Sequence, residues 1–275
     1  MLRSIRTPII ALSALTLTAC AHVRTVSREV DGEIRTATEW FTTKRAHDNT
    51  QIVPVEGPVA IDVDSFSGSV TIRVNPSLTH ATVTPTRYAL HGAKRSDEAK
   101  LSLDEMSVDI DVRPGALGQE LAITTMTTHA EAHFHAVGLE IEVPEVDGVT
   151  VRTRNGDVEV INAYGIIDIS TDDGDVRFMT ERPITSSVQI INNAGNIDFR
   201  VRGESMGAIT AEAVRGEVVQ NGRRGTWRIL PGTSHNTLHA SFNRGTNPIT
   251  LRAADGDIRI AVVESPTSVG RWIID

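Results

Sequence analysis

Three histidines share parity in the run Thr128-His129-Ala130-Glu131-Ala132-His133-Phe134-His135. On one strand His129, His133 and His135 would project from the same face, with His133 and His135 about 7 Å apart by strand rise. Imidazoles at that spacing can ligate zinc or copper. No fourth ligand is evident, and a solvated strand or loop is the plainer account. A second group is acidic: Asp157, Asp173, Asp175 and Asp257, with Asp172, Asp198 and Asp255, all beside turn signals. Carboxylates on one face of stacked coils can act as acid and base on a glycoside or as calcium ligands. Stacking would set Asp157 above Asp175, near Asn196 and Glu217, as a ladder for divalent cations. The plainer account is that turns favour Asp and Asn beside Gly. The Gly-Gly-x-Gly-x-Asp nonapeptide of calcium β-rolls is missing. So are Gly-x-Ser-x-Gly, a phosphate-binding Gly-x-x-x-x-Gly-Lys loop and a dinucleotide fingerprint, and no cofactor is expected. Arg223 and Arg224, with Arg215 and Arg228 nearby, form a local basic spot. It would suit an anionic glycan or lipid head group, or simply be solvated.

One cysteine, Cys20, excludes an internal disulfide and a Cys-rich metal cluster. Its surroundings are informative. Arg3 and Arg6 precede an apolar run over residues 8–19, the layout of a secretory signal. The run is shorter than the roughly 20 residues that a permanent helical span needs. It ends in Leu17-Thr18-Ala19-Cys20, which resembles the lipobox of bacterial lipoproteins. That resemblance implies that Cys20 is lipidated and becomes the mature N-terminus, and two or three acyl chains anchor more firmly than one. Ala21, where an aspartate would signal inner-membrane retention, implies outer-membrane sorting. The competing reading is an ordinary signal cut near Ala-x-Ala, with Cys20 incidental.

Composition limits the rest. The 275 residues carry a formal charge of −8, with 40% hydrophobic and 23% charged residues, so wholesale disorder is not expected. An acidic chain without a basic block is not built for nucleic acid, because phosphate binding needs dense Lys and Arg. Aromatic residues make up only 4%, so something other than rings must fill the core. Residues 1–19 read as the signal, 20–50 as a tether with the first strands, and 51–275 as one β-repeat domain. Val59, Ile61 and Val63 alternate with polar or small residues, as do Val70, Ile72 and Val74 after a Ser-Gly turn. Residues 108–112, 121–123 and 137–143 return to strand, and 91–106 hold the one expected helix, with Ser96 placed to cap it.

From about residue 149 a repeat sets in: Gly, then Asp, Asn or Glu, then Val or Ile, then a strand. It occurs at Gly156, Gly174, Gly195, Gly216 and Gly256, spaced by 18, 21, 21 and 40, with a divergent copy at Gly68. The last gap is about two periods. A period near 20 made of two short strands and two turns predicts a β-solenoid. An antiparallel β-sandwich is the alternative, since turns every 9 to 10 residues also suit hairpins. Stacked coils would explain the scarcity of rings, because β-branched side chains stack at strand spacing and a narrow interior leaves rings little room. Trp272, in the last six residues, is placed to close an open end.

The stretch from Val137 through Pro144 to Asn155-Gly156-Asp157-Val158, and the later Asp255-Gly256-Asp257-Ile258, are similar to bacterial adhesin-like domains of unknown function built from β-strand repeats. The resemblance covers roughly residues 55–263. It implies a single β-helix-like domain, often exported, and no catalytic residues. These readings lead to a lipid-anchored cell-envelope β-repeat protein with a structural or adhesive, non-catalytic role. Its expected partners are the membrane, through the N-terminal lipid, and an envelope protein or glycan, with no nucleic acid. Arg154, Arg177, Arg200, Arg202 and Arg259 would face outward on the recognition surface. The alternatives are a polysaccharide-acting enzyme using the turn carboxylates, and a metal-binding envelope protein using His129, His133 and His135.

Overall fold

A computed structural model describes residues 43–115, 118–222 and 224–268. Cys20, Arg223 and Trp272 lie outside the described residues, as do the signal segment and most of the tether.

The described residues form twenty strands. The N-terminal part holds β1 (Lys44–His47), β2 (Gln51–Val53), β3 (Val59–Ser65), β4 (Val70–Val74), β5 (Ala81–Ala89), β6 (Met106–Pro114), β7 (Gln119–Thr127) and β8 (His135–Val143). The repeat region follows with β9 (Val146–Asn155), β10 (Val158–Ile161), β11 (Ile167–Asp173), β12 (Val176–Thr180), β13 (Val188–Ala194), β14 (Ile197–Arg202), β15 (Gly207–Arg215) and β16 (Val218–Gly222). The last strands are β17 (Trp227–Ile229), β18 (Thr237–Phe242), β19 (Pro248–Asp255) and β20 (Ile258–Val263). A helix α1 (Ser96–Ser102), flanked by short 3-10 turns, lies between β5 and β6. Ser96 is its first residue rather than its cap; Arg95 holds the cap position without a side-chain bond to the helix.

Each coil contributes one strand to each of two sheets, and parallel pairing stacks the coils as rungs. One sheet runs β7-β3-β9-β11-β13-β19-β15 and the other β8-β4-β10-β12-β14-β20-β16, so the two central orders match rung for rung. This is a β-solenoid. Antiparallel pairing is confined to the ends, where β6 covers β7, β5 covers β8, and the β17–β18 hairpin covers β15. These hairpins blunt the edges that an open stack would expose.

The order of the rungs is not the order of the chain. The coil β19–β20 enters between β13–β14 and β15–β16. The gap of 40 residues between Gly216 and Gly256 is therefore not a worn extra coil. It is the capping hairpin, after which the chain turns back and inserts one rung from the end. The N-terminal end does likewise: β3–β4 is the first coil in sequence but lies inside β7–β8.

Inward positions repeat rung after rung. Val70, Val158, Val176, Ile197 and Ile258 stack in register, as do Val63, Val151, Ile169, Ile190 and Leu251. All are buried. At that registry β-branched side chains sit over one another, about 4.8 Å apart, with Leu251 the one exception among these ten. The interior does admit rings. Phe178 and Phe199 are fully buried on adjacent rungs and stack at 5.5 Å with 14° between planes, and Phe242, on the capping strand β18, is buried too. Few aromatics thus reflects the preference for β-branched stacking more than lack of space.

At the corner of each rung a glycine meets the glycine before it. A Cβ on Gly174 would collide with the carbonyl of Gly156, one on Gly195 with that of Gly174, and one on Gly256 with that of Gly195. Gly174 also has φ +129, which L side chains rarely adopt. The constant residue of the repeat is fixed by this close passage of backbone on backbone.

Candidate functional site

The turn carboxylates do form a ladder, and it is occupied by backbone. Asp157 Oδ1 accepts from the Asp175 N–H at 2.8 Å, and Asp175 Oδ1 accepts from the Asn196 N–H at 2.8 Å and its Nδ2 at 3.2 Å. Asn196 Oδ1 accepts from the Asp257 N–H at 3.0 Å, and Asp257 Oδ1 from the Glu217 N–H at 3.0 Å. Each side chain thus satisfies the first backbone donor of the next corner. That explains why Asp and Asn, short acceptors, follow the glycine. Asp173 lies on the other side of the corner, where its carbonyl accepts from Gly156 N–H at 2.8 Å. Among the described residues, these aspartates form no cluster of three that could hold a metal ion.

The outer faces of the sheets carry charge ladders. On one row Glu159, Arg177, Asp198 and Arg259 follow one another across β10, β12, β14 and β20. Arg177 Nη1 donates to Glu159 at 3.0 Å, and its Nε lies 3.8 Å from Asp198. Asp198 also holds Arg200 through two bonds of 2.9 and 2.5 Å. Arg200 is buried, so it is not the outward contact that its strand position predicts. Arg154, by contrast, is exposed.

Near the N-terminal end of this face is a cleft of about 500 Å³. It forms where β5 lies against β8 and beside the outer rows of β4, β10 and β12. Its walls carry Tyr88, Arg73, Arg177, Glu140 and Glu159, with the hydroxyls of Ser69, Thr71 and Thr86. Asp157 and Asp175 also line it, so with Arg177 the sequence singled out three of its residues without marking the cleft. A mouth lined by one ring, paired charges and several hydroxyls suits a polar, hydroxylated ligand.

The histidine run resolves differently from expectation. Strand β7 ends at Thr127, and the chain passes through a 3-10 turn (Ala132–Phe134) before β8 starts at His135. Shared parity therefore has no meaning across the run. His133 is exposed on that turn, against the ring of Phe134. His129 and His135 do meet, and the third imidazole is His91, which sequence reasoning did not single out. One ring nitrogen from each of His91, His129 and His135 lies within 4.8 Å of the other two. His91 arrives because β5 pairs antiparallel with β8, Ala89 opposite His135, and because Leu90 N–H then bonds the Phe134 carbonyl at 2.7 Å. No local pattern could have linked residues 44 apart.

Both His91 and His135 are buried. Burial, with the neighbouring His129 and His91, pushes the His135 imidazolium down to about 4. Burial likewise lowers His91, helped by His129 and Arg95. Both are thus neutral imidazoles at neutral pH. Thr127 Oγ1 holds His135 Nδ1 at 2.8 Å, and Ser102 Oγ lies 3.1 Å from His91 Nε2. Beside them Arg95 pairs with Glu98 and Glu131, which holds both carboxyls below the usual range.

Residues 127–261 match the family model described as Toastrack DUF4097. The match spans the β-repeat region from the end of β7 into β20. Among solved structures, one of a "putative cell adhesion protein" from Clostridium sporogenes is similar at 12% identity. It covers 80% of this chain and 100% of that one with a TM-score of 0.56. A "putative adhesin" from Bacteroides fragilis is also 12% identical, covering 80% of this chain and 97% of that one, with a TM-score of 0.31. No curated protein is similar enough in sequence to count as a relative. Among the described residues, no helix is long and apolar enough to cross a membrane.

Proposed function

We propose that this chain is a lipid-anchored, non-catalytic binding protein of the bacterial cell envelope, sorted to the outer membrane. Cys20 is its attachment point, and a polar ligand, either a glycan or an envelope protein, is its partner. The observation that carries the binding role is the cleft beside Tyr88, with Arg73, Arg177, Glu140 and Glu159 on a rigid rung stack. Side chains set on paired strands keep their geometry without a ligand, which lowers the ordering cost of binding. The turn carboxylates are engaged by backbone donors, which argues against the polysaccharide-cleaving alternative. The likeness in fold to a structure titled a putative cell adhesion protein is in keeping with display at a surface.

Two measurements test this. For the anchor, mass spectrometry of the N-terminal peptide should find acyl chains on Cys20, and Cys20→Ala should leave the membrane fraction. An unmodified wild-type cysteine refutes the anchor. For the binding face, the purified chain is passed over arrays of envelope glycans and over envelope-protein extracts. Binding that falls at least tenfold in an Arg73→Ala, Tyr88→Ala double variant supports the cleft, and binding unchanged by it refutes the cleft. Turnover of a bound glycan that is lost in Asp175→Asn would refute the non-catalytic reading.

A further inference from the structure

We propose that His91, His135 and His129 form a binding site for one divalent first-row transition-metal ion, with zinc the ion best suited to it. The strongest observation is the distance between the two buried rings. His91 Nε2 and His135 Nε2 face each other at 3.4 Å. That is long for a hydrogen bond between nitrogens. It is the edge of a metal tetrahedron: with Zn–N bonds of about 2.0–2.1 Å, ligand nitrogens lie about 3.3–3.4 Å apart.

The surroundings match what metal-bound imidazoles use. A ligating histidine donates its other ring N–H to an oxygen that fixes its tautomer and orientation. Thr127 Oγ1 stands at His135 Nδ1 at 2.8 Å. His91 Nδ1 is a buried nitrogen with no hydrogen-bond partner, and the nearest carboxylate, Glu98 Oε1, lies 4.0 Å from it. An orphaned buried polar atom carries a cost, and binding of a cation through Nε2 would orient Nδ1–H toward Glu98. Ser102 Oγ already has the Ala99 carbonyl as an acceptor at 3.1 Å, so its hydroxyl can leave the Nε2 lone pair to the metal.

His129 is the adjustable member. Its Nδ1 accepts the Glu131 N–H at 3.0 Å, so ligation through this nitrogen requires that bond to be exchanged. Its ring is half-buried beside His135, with centroids 4.6 Å apart. Three imidazoles are a ligand set that suits zinc. Glu98 and Glu131 lower the electrostatic cost of bringing a dication there, and Arg95 partly offsets them.

The site joins β5, α1, β7 and β8, which are elements of the N-terminal cap. A bound ion would pin the cap to the first rungs, so its effect should be read in stability as well as in affinity. Isothermal titration of the purified, chelator-treated chain with ZnCl₂ should give one site per chain, and Co²⁺ should give the visible bands of a low-coordinate site. His91→Gln and His135→Gln should weaken zinc binding at least 100-fold, His129→Ala about tenfold, and His133→Ala not at all. Where a buried-ring variant does not fold by circular dichroism, Thr127→Val reports instead, with a loss of about tenfold expected from an outer-shell partner. Zinc should also raise the melting temperature of the wild type and of His133→Ala. The proposal is overturned if the wild type binds no zinc, or if His133→Ala loses as much as His129→Ala. It is equally overturned if folded His91→Gln or His135→Gln binds as the wild type does.

Discussion

Replacing Gly174 by alanine should cost far more stability than replacing a positive-φ glycine outside the stack. Two terms act at Gly174. Its φ of +129 is strained for any L side chain, which costs on the order of 1–3 kcal/mol. The new Cβ would also lie well inside 3.0 Å of the Gly156 carbonyl, which is backbone and cannot swing away. Rungs β10 and β12 would have to part at their corner, an overpacking cost of about 1–3 kcal/mol. Together the terms reach roughly 2–6 kcal/mol, a large share of the roughly 5–15 kcal/mol that holds a domain together. Two controls separate them. Gly57 has φ +70, and a methyl added there would meet nothing within 4 Å, so Gly57→Ala carries strain alone. Gly216 lies outside the positive-φ region, yet its Cβ would strike the Gly256 carbonyl, so Gly216→Ala carries the clash alone. Urea unfolding followed by far-ultraviolet circular dichroism measures all three. Because rungs interact mainly with neighbours, a lower m-value or a second transition in Gly174→Ala would mark a break at that rung. If Gly174→Ala is no less stable than Gly57→Ala, the backbone-contact explanation of the repeat glycine is wrong.

The carboxylate ladder predicts a specific asymmetry. Asp175→Asn keeps an oxygen for the Asn196 N–H and should cost little, whereas Asp175→Ala removes it and should cost about 1–2 kcal/mol by urea unfolding. Equal losses would show that charge, not acceptance, is what the corner uses. In the chelator-treated protein, stability should fall as pH drops from 6.5 toward 4. His135 titrates near 4 when folded but near its ordinary 6.5 when unfolded, so between those values only the unfolded chain takes up the proton. The stabilisation is whole above 6.5, is lost progressively below it, and amounts to roughly 3 kcal/mol by linkage. His91 acts in the same direction. His135→Gln should flatten that part of the profile, and an unaltered slope would refute the assignment. Removing Phe178 from its stack as Phe178→Ala should cost about 3–5 kcal/mol, and a loss under about 1 kcal/mol would show that the interior is loosely packed.

The sequence by itself determined the solenoid. Glycines spaced by 18 and 21 residues, each followed by Asp, Asn or Glu and an alternating strand, are a local code. Each coil makes the same contacts as its neighbour, so one coil's pattern describes them all. It also set Asp157 above Asp175, near Asn196 and Glu217; in the structure Asp157, Asp175, Asn196 and Asp257 each accept from the backbone N–H of the next rung along that row. What the tertiary structure alone decided lies wherever the chain leaves the repeat. The spacing of 40 could not disclose that β19–β20 slides in between two earlier coils, because parallel rungs of similar pattern are nearly interchangeable as neighbours. Parity placed His133 with His129 and His135 because it assumed an unbroken strand; the turn after Thr127 removes that premise. His91 joins them through antiparallel pairing of β5 with β8, a contact across 44 residues. Local chemistry fixes which residues can turn and stack, and only the closing of the cap decides which imidazoles share a pocket.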